Sequence, residues 1–239
     1  MATRFAPSWV MTALAFVLCL AFIGLGRWQW ERGKMREAQS QEFARGADRI
    51  VPLASRDLNE MPRFQRVSAA GQFDSRHQFL LDNRTHDGHA GYEVLTPFEL
   101  TDGRSVLVDR GWLPFTGYRE RLPDVSFEAG AQRQIVGRID ELPSAGLPQG
   151  RATPNQDASW PKVTTYPSMA QLSAALGRPL EPRILLLDPA APNGYVRDWQ
   201  APGLSPMRHW SYAIQWWAFA AVTFVLWLIL SLRRRPASV

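Results

Sequence analysis

For imidazole or thiol chemistry the 239 residues offer four histidines, His77, His86, His89 and His209, and one cysteine, Cys19. A single cysteine inside an apolar run forms no intramolecular disulfide and builds no cysteine-based zinc, iron–sulfur or CxxC redox centre. His86-Asp87-Gly88-His89 could give two metal ligands, with His77 or Asp82 nearby. Its Asp-Gly pair marks a turn between strands, and nothing in the sequence orients the imidazoles, so it reads as a solvated hairpin loop. Glu93 and Asp109 become an acid/base pair only through a geometry that sequence does not carry. Arg110, in Asp109-Arg110-Gly111-Trp112, reads as the structural partner of a carboxylate. No GxSxG, P-loop, HExxH or strand-linked GxGxxG appears.

His209 stands apart, because it immediately precedes Trp210–Leu232, a stretch of apolar and aromatic residues without a charge. On helical spacing Tyr212 and Trp216 fall at i+3 and i+7 and share its face. A neutral imidazole in a partly dry aromatic pocket is a candidate axial ligand for haem iron. The alternative is an interfacial histidine hydrogen-bonded to lipid headgroups.

Two elements must position it. At about 1.5 Å per residue, Trp210–Leu232 is long enough to cross a hydrocarbon core of roughly 30 Å. Ser8–Gly26 is a second uncharged run. It is longer than a signal-peptide core and is followed by bulky charged residues rather than a cleavage site, so it reads as an uncleaved span. Its outer end, Gly24, Trp28 and Gln29, is expected at the depth of His209. Eight of the ten tryptophans lie in or near these runs, which reads as a pair of interfacial belts that include Trp199. Two spans put both termini on one face. Arg233–Arg235 mark that face as cytoplasmic, although Arg27, Arg32, Lys34 and Arg36 follow the first span.

Between the spans the pattern is strand-like at 64–73, 78–83, 92–100, 105–113, 133–140 and 183–188. Thr101-Asp102-Gly103-Arg104 predicts a hairpin between the third and fourth of these runs. Ser168-x-x-Gln171 predicts a capped short helix, and 142–161, rich in Pro, Gly and Ala, an exposed loop. The expected layout is a first span at 8–30, a helical extension at 31–49, a β-rich domain at 50–200, a second span at 207–232 and a basic tail at 233–239. The fold class is α+β: two transmembrane helices flanking a mainly antiparallel β domain with minor helices. A net charge of +5 raises nucleic acid as a partner, but the basic residues are scattered or flank the spans. Anionic lipid headgroups account for them better, so lipid and not nucleic acid is the expected partner.

Five stretches in order resemble the Surfeit locus protein 1 family of cytochrome c oxidase assembly factors. They are Leu25-Gly26-Arg27-Trp28-Gln29-Trp30-Glu31-Arg32; Gly71-Gln72-Phe73 with Leu81-Asp82-Asn83-Arg84; Gly91 to Phe98; Val106 to Pro114; and His209 to Trp216. The likeness covers nearly the whole chain. It departs from the family's pattern at Met207-Arg208 and at Asp109. The resemblance implies a non-enzymatic two-span protein of the cell inner membrane with a periplasmic domain. That protein would receive haem a and pass it to the oxidase catalytic subunit, with haem a synthase as a further partner. The family's haem-linked histidine would fall on His209. Trp28, Gln29, Tyr212 and Trp216 would line the macrocycle, and Arg32 or Arg208 would meet the propionates. A scaffold that steadies an assembly intermediate without handling haem is the other reading.

Overall fold

The computed structural model describes all residues except 1–2, 47, 55, 119–120, 129, 131–132, 144–151, 155–158, 202 and 235–239. The expected loop at 142–161 and tail at 233–239 therefore lie largely outside the described residues. The chain divides into two compact units, residues 1–41 with 201–239, and residues 42–200.

The first unit is a pair of long helices. α1 runs unbroken from Trp9 to Arg45, and α3 from Pro206 to Ser231. No proline interrupts α1, and its Arg-, Glu-, Gln- and Ala-rich second half keeps good helix formers beyond the apolar run. Both helices are long and apolar enough to cross a membrane, and few residues of either apolar stretch are buried. They run antiparallel, and just outside them β1 (Thr3–Phe5) pairs with β10 (Leu232–Arg234). Residues 3–5 and 232–234 thus meet at one end of the pair.

What holds the helices together is a repeat of small residues. The buried positions are Gly26 and Gly33 on α1 and Ala213, Ala220 and Ser231 on α3. Gly26 and Gly33 are seven residues apart, as are Ala213 and Ala220, so each pair stays on one face over two turns. Lipid is as apolar as the side chains, so close backbone approach and dispersion contacts, rather than water exclusion, join such helices. The indoles fill the space above the glycines. A Cβ on Gly26 would come within 2.3 Å of Trp217 Nε1, and one on Gly33 within 2.2 Å of Trp210 Nε1. Trp30 sits between them, its ring 5.8 Å from each.

This corrects the expectation of simple aromatic belts. Trp30, Trp210 and Trp217 are seam residues, and Trp227 donates its indole N–H to Thr12 Oγ1 across the pair. Trp199 belongs to the other unit, where it packs in the core and donates to the Leu187 carbonyl. Trp9 and Trp28 remain exposed.

The second unit is β-rich. Among the described residues its strands are β2 (Ile50–Pro52), β3 (Arg66–Phe73), β4 (Phe79–His86), β5 (His89–Leu100), β6 (Ser105–Pro114), β7 (Arg133–Asp140), β8 (Lys162–Thr164) and β9 (Ile184–Leu187). They order as β2-β3-β7-β9-β6-β5-β4-β8, and β3 also pairs with β5. That extra pairing joins β3, β7, β9, β6 and β5 into a closed ring, a small barrel. Most pairs are antiparallel; β2–β3, β4–β8 and β6–β9 are parallel.

Alternation along the strands separates inside from outside. Val67, Ala69, Phe98, Val106, Val108, Ile135, Ile139, Leu185 and Leu187 fill the barrel. Leu95, Leu107, Ile184 and Leu186 point the other way, beneath α2 (Met169–Leu176) and Trp160. The capping box at Ser168 forms as its spacing predicts: Gln171 N–H donates to Ser168 Oγ, and Ser168 N–H donates to Gln171 Oε1. Gly177 ends the helix in the left-handed region. The predicted hairpin joins β5 to β6 with Gly103 at φ 87°. His86 and His89 flank a tight turn with Asp87 and Gly88 both at positive φ, the requirement of a type I′ turn.

Candidate functional site

His209 lies in the first turns of α3, after Ser205 and the N-terminal Pro206. Its half-buried ring faces α1, where Nδ1–H donates to Gln29 Oε1 at 2.9 Å. A proton on Nδ1 leaves the lone pair on Nε2. Among the described residues Nε2 has no partner. The histidine therefore presents one ring nitrogen fixed by a neighbouring amide and one open to a ligand, the arrangement that orients metal-binding imidazoles.

The antiparallel register explains why Gln29 is the partner. One heptad deeper, Phe22 stacks on Trp216 with ring centres 5.8 Å apart. Deeper still, Cys19 Sγ donates to the Ala220 carbonyl at 3.5 Å. These positions step along both helices together, so the His209–Gln29 contact is one rung of a regular seam, which continues outward to Gly33 against Trp210. Further along, Thr12, Ala15, Phe16, Cys19, Phe224 and Trp227 line an apolar cavity of about 190 Å³.

The remaining residues singled out from the sequence take different places. Trp216 packs on the seam with Phe22. Trp28 is 53% exposed on the flank of α1, with the Arg32 guanidinium 5.6 Å from its ring. Tyr212 is 47% exposed, and Arg208 is exposed in the first turn of α3. Gly24, expected at the depth of His209, has nothing within 4 Å of where its side chain would be. Gly26 and Gly33 are the glycines that face α3, and their seven-residue spacing was the signal available.

In the β unit the polar residues also settle into definite roles. Arg110 is 2% exposed yet pairs with no carboxylate among the described residues, contrary to expectation. It donates to Gln78 Oε1 and to the Asn193 carbonyl, with its guanidinium 3.9 Å from the Phe127 ring and 4.9 Å from that of Tyr195. Burial lowers its pKa, and Tyr195 partly offsets that. The reason is parity: Arg110 follows Val106 and Val108 toward the inside, where carbonyls and rings are the available partners.

Asp109 points the opposite way and is 2% exposed. It accepts a hydrogen bond from Gly111 N–H. Burial pushes its carboxyl well above the ordinary aspartate range; the neighbouring Glu93 charge pushes it further, against the Gly111 N–H and Arg84. Glu93, 3.0 Å from Arg84 Nε, is also raised by burial, and Arg84 opposes the rise. Trp112 donates its indole N–H to the Arg84 carbonyl. Buried Asp109 thus shares one polar cluster with the half-buried Glu93 and Arg84.

A family model described as the SURF1 family matches residues 16–221. A SURF1-like protein of Monosiga brevicollis is 27% identical over 225 residues, covering 87% of this chain and 82% of its own. An uncharacterised SURF1-like protein of Mycobacterium bovis is 29% identical over 223 residues, covering 89% and 79%. A SURF1-like protein of Dictyostelium discoideum is 32% identical over 111 residues, 41% of each chain.

Proposed function

The chain belongs to the SURF1 family, and from that premise we propose that it is an assembly factor for haem–copper cytochrome c oxidase that carries haem a to the catalytic subunit. The observation behind the haem reading is the His209–Gln29 hydrogen bond, which leaves His209 Nε2 as a lone-pair donor in the first turns of α3. A single protein ligand suits a carrier, because ligation must be weak enough to release the cargo. Around this histidine Trp28 and Tyr212 present exposed aromatic surface, and Arg32 and Arg208 present guanidinium groups that suit propionate carboxylates. Trp216, already stacked on Phe22, would steady the helix face below.

In this role the protein performs no catalysis; it binds, orients and hands over. The two apolar helices would sit in the cell inner membrane with the β unit in the periplasm, beside haem a synthase and the nascent oxidase. The pairing of Thr3–Phe5 with Leu232–Arg234 at one end of the helix pair fits both flanks on a single face.

The deciding measurement is the absorption spectrum of the full chain, purified in detergent after co-expression with haem a synthesis, beside His209→Ala. A Soret band lost or strongly weakened in the variant is expected. A band unchanged by the substitution, or none in the wild type, removes the haem role. The scaffold reading instead predicts that His209→Ala still supports oxidase assembly, whereas substitutions within Gly91–Phe98 and Val108–Pro114 abolish it.

A further inference from the structure

On the outer face of the barrel, Arg66 of β3 and Arg138 of β7 are direct cross-strand partners. Like charges placed opposite each other on one face destabilise a sheet, so such a pair calls for a counter-charge. Among the described residues Asp188 supplies it to Arg66. Asp188 Oδ2 lies 2.5 Å from Arg66 Nη2 and so is committed to that arginine. Arg138 forms no ion pair among the described residues. Its Nη1 donates to the Phe43 carbonyl at 2.7 Å, and its guanidinium lies 3.7 Å from the Phe43 ring.

A third guanidinium joins them. Arg197 donates to the carbonyls of Asp188, Ala191 and Tyr195, and it too forms no ion pair among the described residues. Together Arg66, Arg138 and Arg197, with Phe43, Asp188 and Trp199, line a cavity of about 170 Å³. Asp198, its other carboxylate, is exposed and accepts from Gln200 Nε2. Three cations thus line a cavity whose own carboxylates are Asp188, engaged with Arg66, and Asp198, turned to solvent, while nearby Asp140 pairs with Arg63. Burial lowers the pKa of Arg138 and the neighbouring Arg66 charge adds to that, while the more distant charges of Asp140 and Asp188 oppose it.

Arg138 retains N–H donors beyond the one given to Phe43, in the planar fork that matches two oxygens of one oxyanion. Phe43 beneath its guanidinium holds the group in place, and Trp199 is pinned by its own bond to Leu187. We propose that this cavity is an oxyanion-binding site, taking one phosphate or carboxylate group between Arg138 and Arg66. Its size fits a small anion or a single headgroup.

The test uses the full chain in non-ionic detergent at constant ionic strength, with inorganic phosphate and, separately, succinate followed by equilibrium dialysis. Saturable binding of at least one probe is expected, weakened on the order of tenfold or more by Arg138→Gln and less by Arg138→Lys. Asp188→Asn frees Arg66 from its carboxylate and should strengthen binding, a change that misfolding does not mimic. Repeating the measurement in phosphatidylcholine nanodiscs with and without phosphatidic acid separates the sources. Displacement of the probe by phosphatidic acid assigns the site to a lipid headgroup, and retention assigns it to a soluble anion. The proposal is overturned if neither probe binds, or if Arg138→Gln binds as tightly as the wild type.

Discussion

Trp217 lays its indole on Gly26 so closely that any side chain there would collide with the ring nitrogen. Seven residues on, Trp210 does the same to Gly33. Gly26→Ala or Gly33→Ala is therefore expected to destabilise the helix pair by about 1–3 kcal/mol, the usual range for an overpacked contact. Combining Gly26→Ala with Trp217→Ala should recover part of the loss, because the smaller residue opposite relieves the clash. Thermal unfolding in detergent, read by near-ultraviolet circular dichroism of the tryptophans, gives the comparison. Additive losses in the double variant would mean the indole does not rest on the glycine.

Gln29 fixes the ring of His209, so its removal should be felt at the proposed iron ligand before it is felt in the fold. Gln29→Leu is expected to weaken haem a retention about 10- to 100-fold, the usual loss when the group orienting a metal-bound histidine is removed. Gln29→Glu, which still accepts from Nδ1–H, should retain most of it. Titration of the Soret band measures both. Equal behaviour of the two variants would remove the orienting role.

Asp109 makes stability depend on pH. A carboxyl whose folded pKa lies above its unfolded value holds its proton more tightly when folded. Its stabilising contribution is complete below the ordinary aspartate range and fades as pH rises through the raised value. Glu93 acts in the same direction. Asp109→Asn, which keeps the shape without the titration, should unfold at a temperature less dependent on pH across that interval and gain most at its alkaline end. Parallel profiles for wild type and variant would show that Asp109 is not the titrating group.

Arg110 is held by two hydrogen bonds and two rings in a space cut to a planar guanidinium. Arg110→Lys keeps the charge but loses the fork, and a loss of about 2–4 kcal/mol in unfolding free energy is expected from the stranded acceptors. Urea unfolding of the full chain in detergent tests it. A Lys variant within about 0.5 kcal/mol of the wild type would show that charge alone sufficed, since ordinary surface changes fall in that range.

The parts of this architecture visible in the sequence are those written in local chemistry. Asp102-Gly103 dictates the β5–β6 turn, and Ser168 with Gln171 caps α2, because both devices act within a few residues. Unbroken apolar runs mark the two long helices for the same reason. The barrel closure is different: β3 meets β5, and β9 enters beside β6 in parallel, through contacts between residues far apart in the chain. No local pattern encodes such a crossover. Arg110 was misread because the partner of a buried cation is set by which way its strand faces. The tryptophans were ambiguous, since an indole at a headgroup and an indole on a glycine look alike until the facing helix is in place. His209 could be singled out by its position at the end of a span, whereas its bond to Gln29 rests on a register between residues 180 positions apart.

The order of strands in the ring has a consequence for how the protein can be made. β9 is the last barrel strand in the chain and lies between β6 and β7. Until Ile184–Leu187 arrives, those two earlier strands have no common neighbour and each keeps an open edge of unpaired N–H and C=O groups. Such edges invite pairing with other chains, and a ring closed by distant segments assembles slowly. The β unit therefore completes itself only shortly before the second long helix begins at Pro206. A chain cut anywhere before Leu187 would lose not one strand but the closure itself, and would be a substrate for proteases rather than a shortened form of the fold.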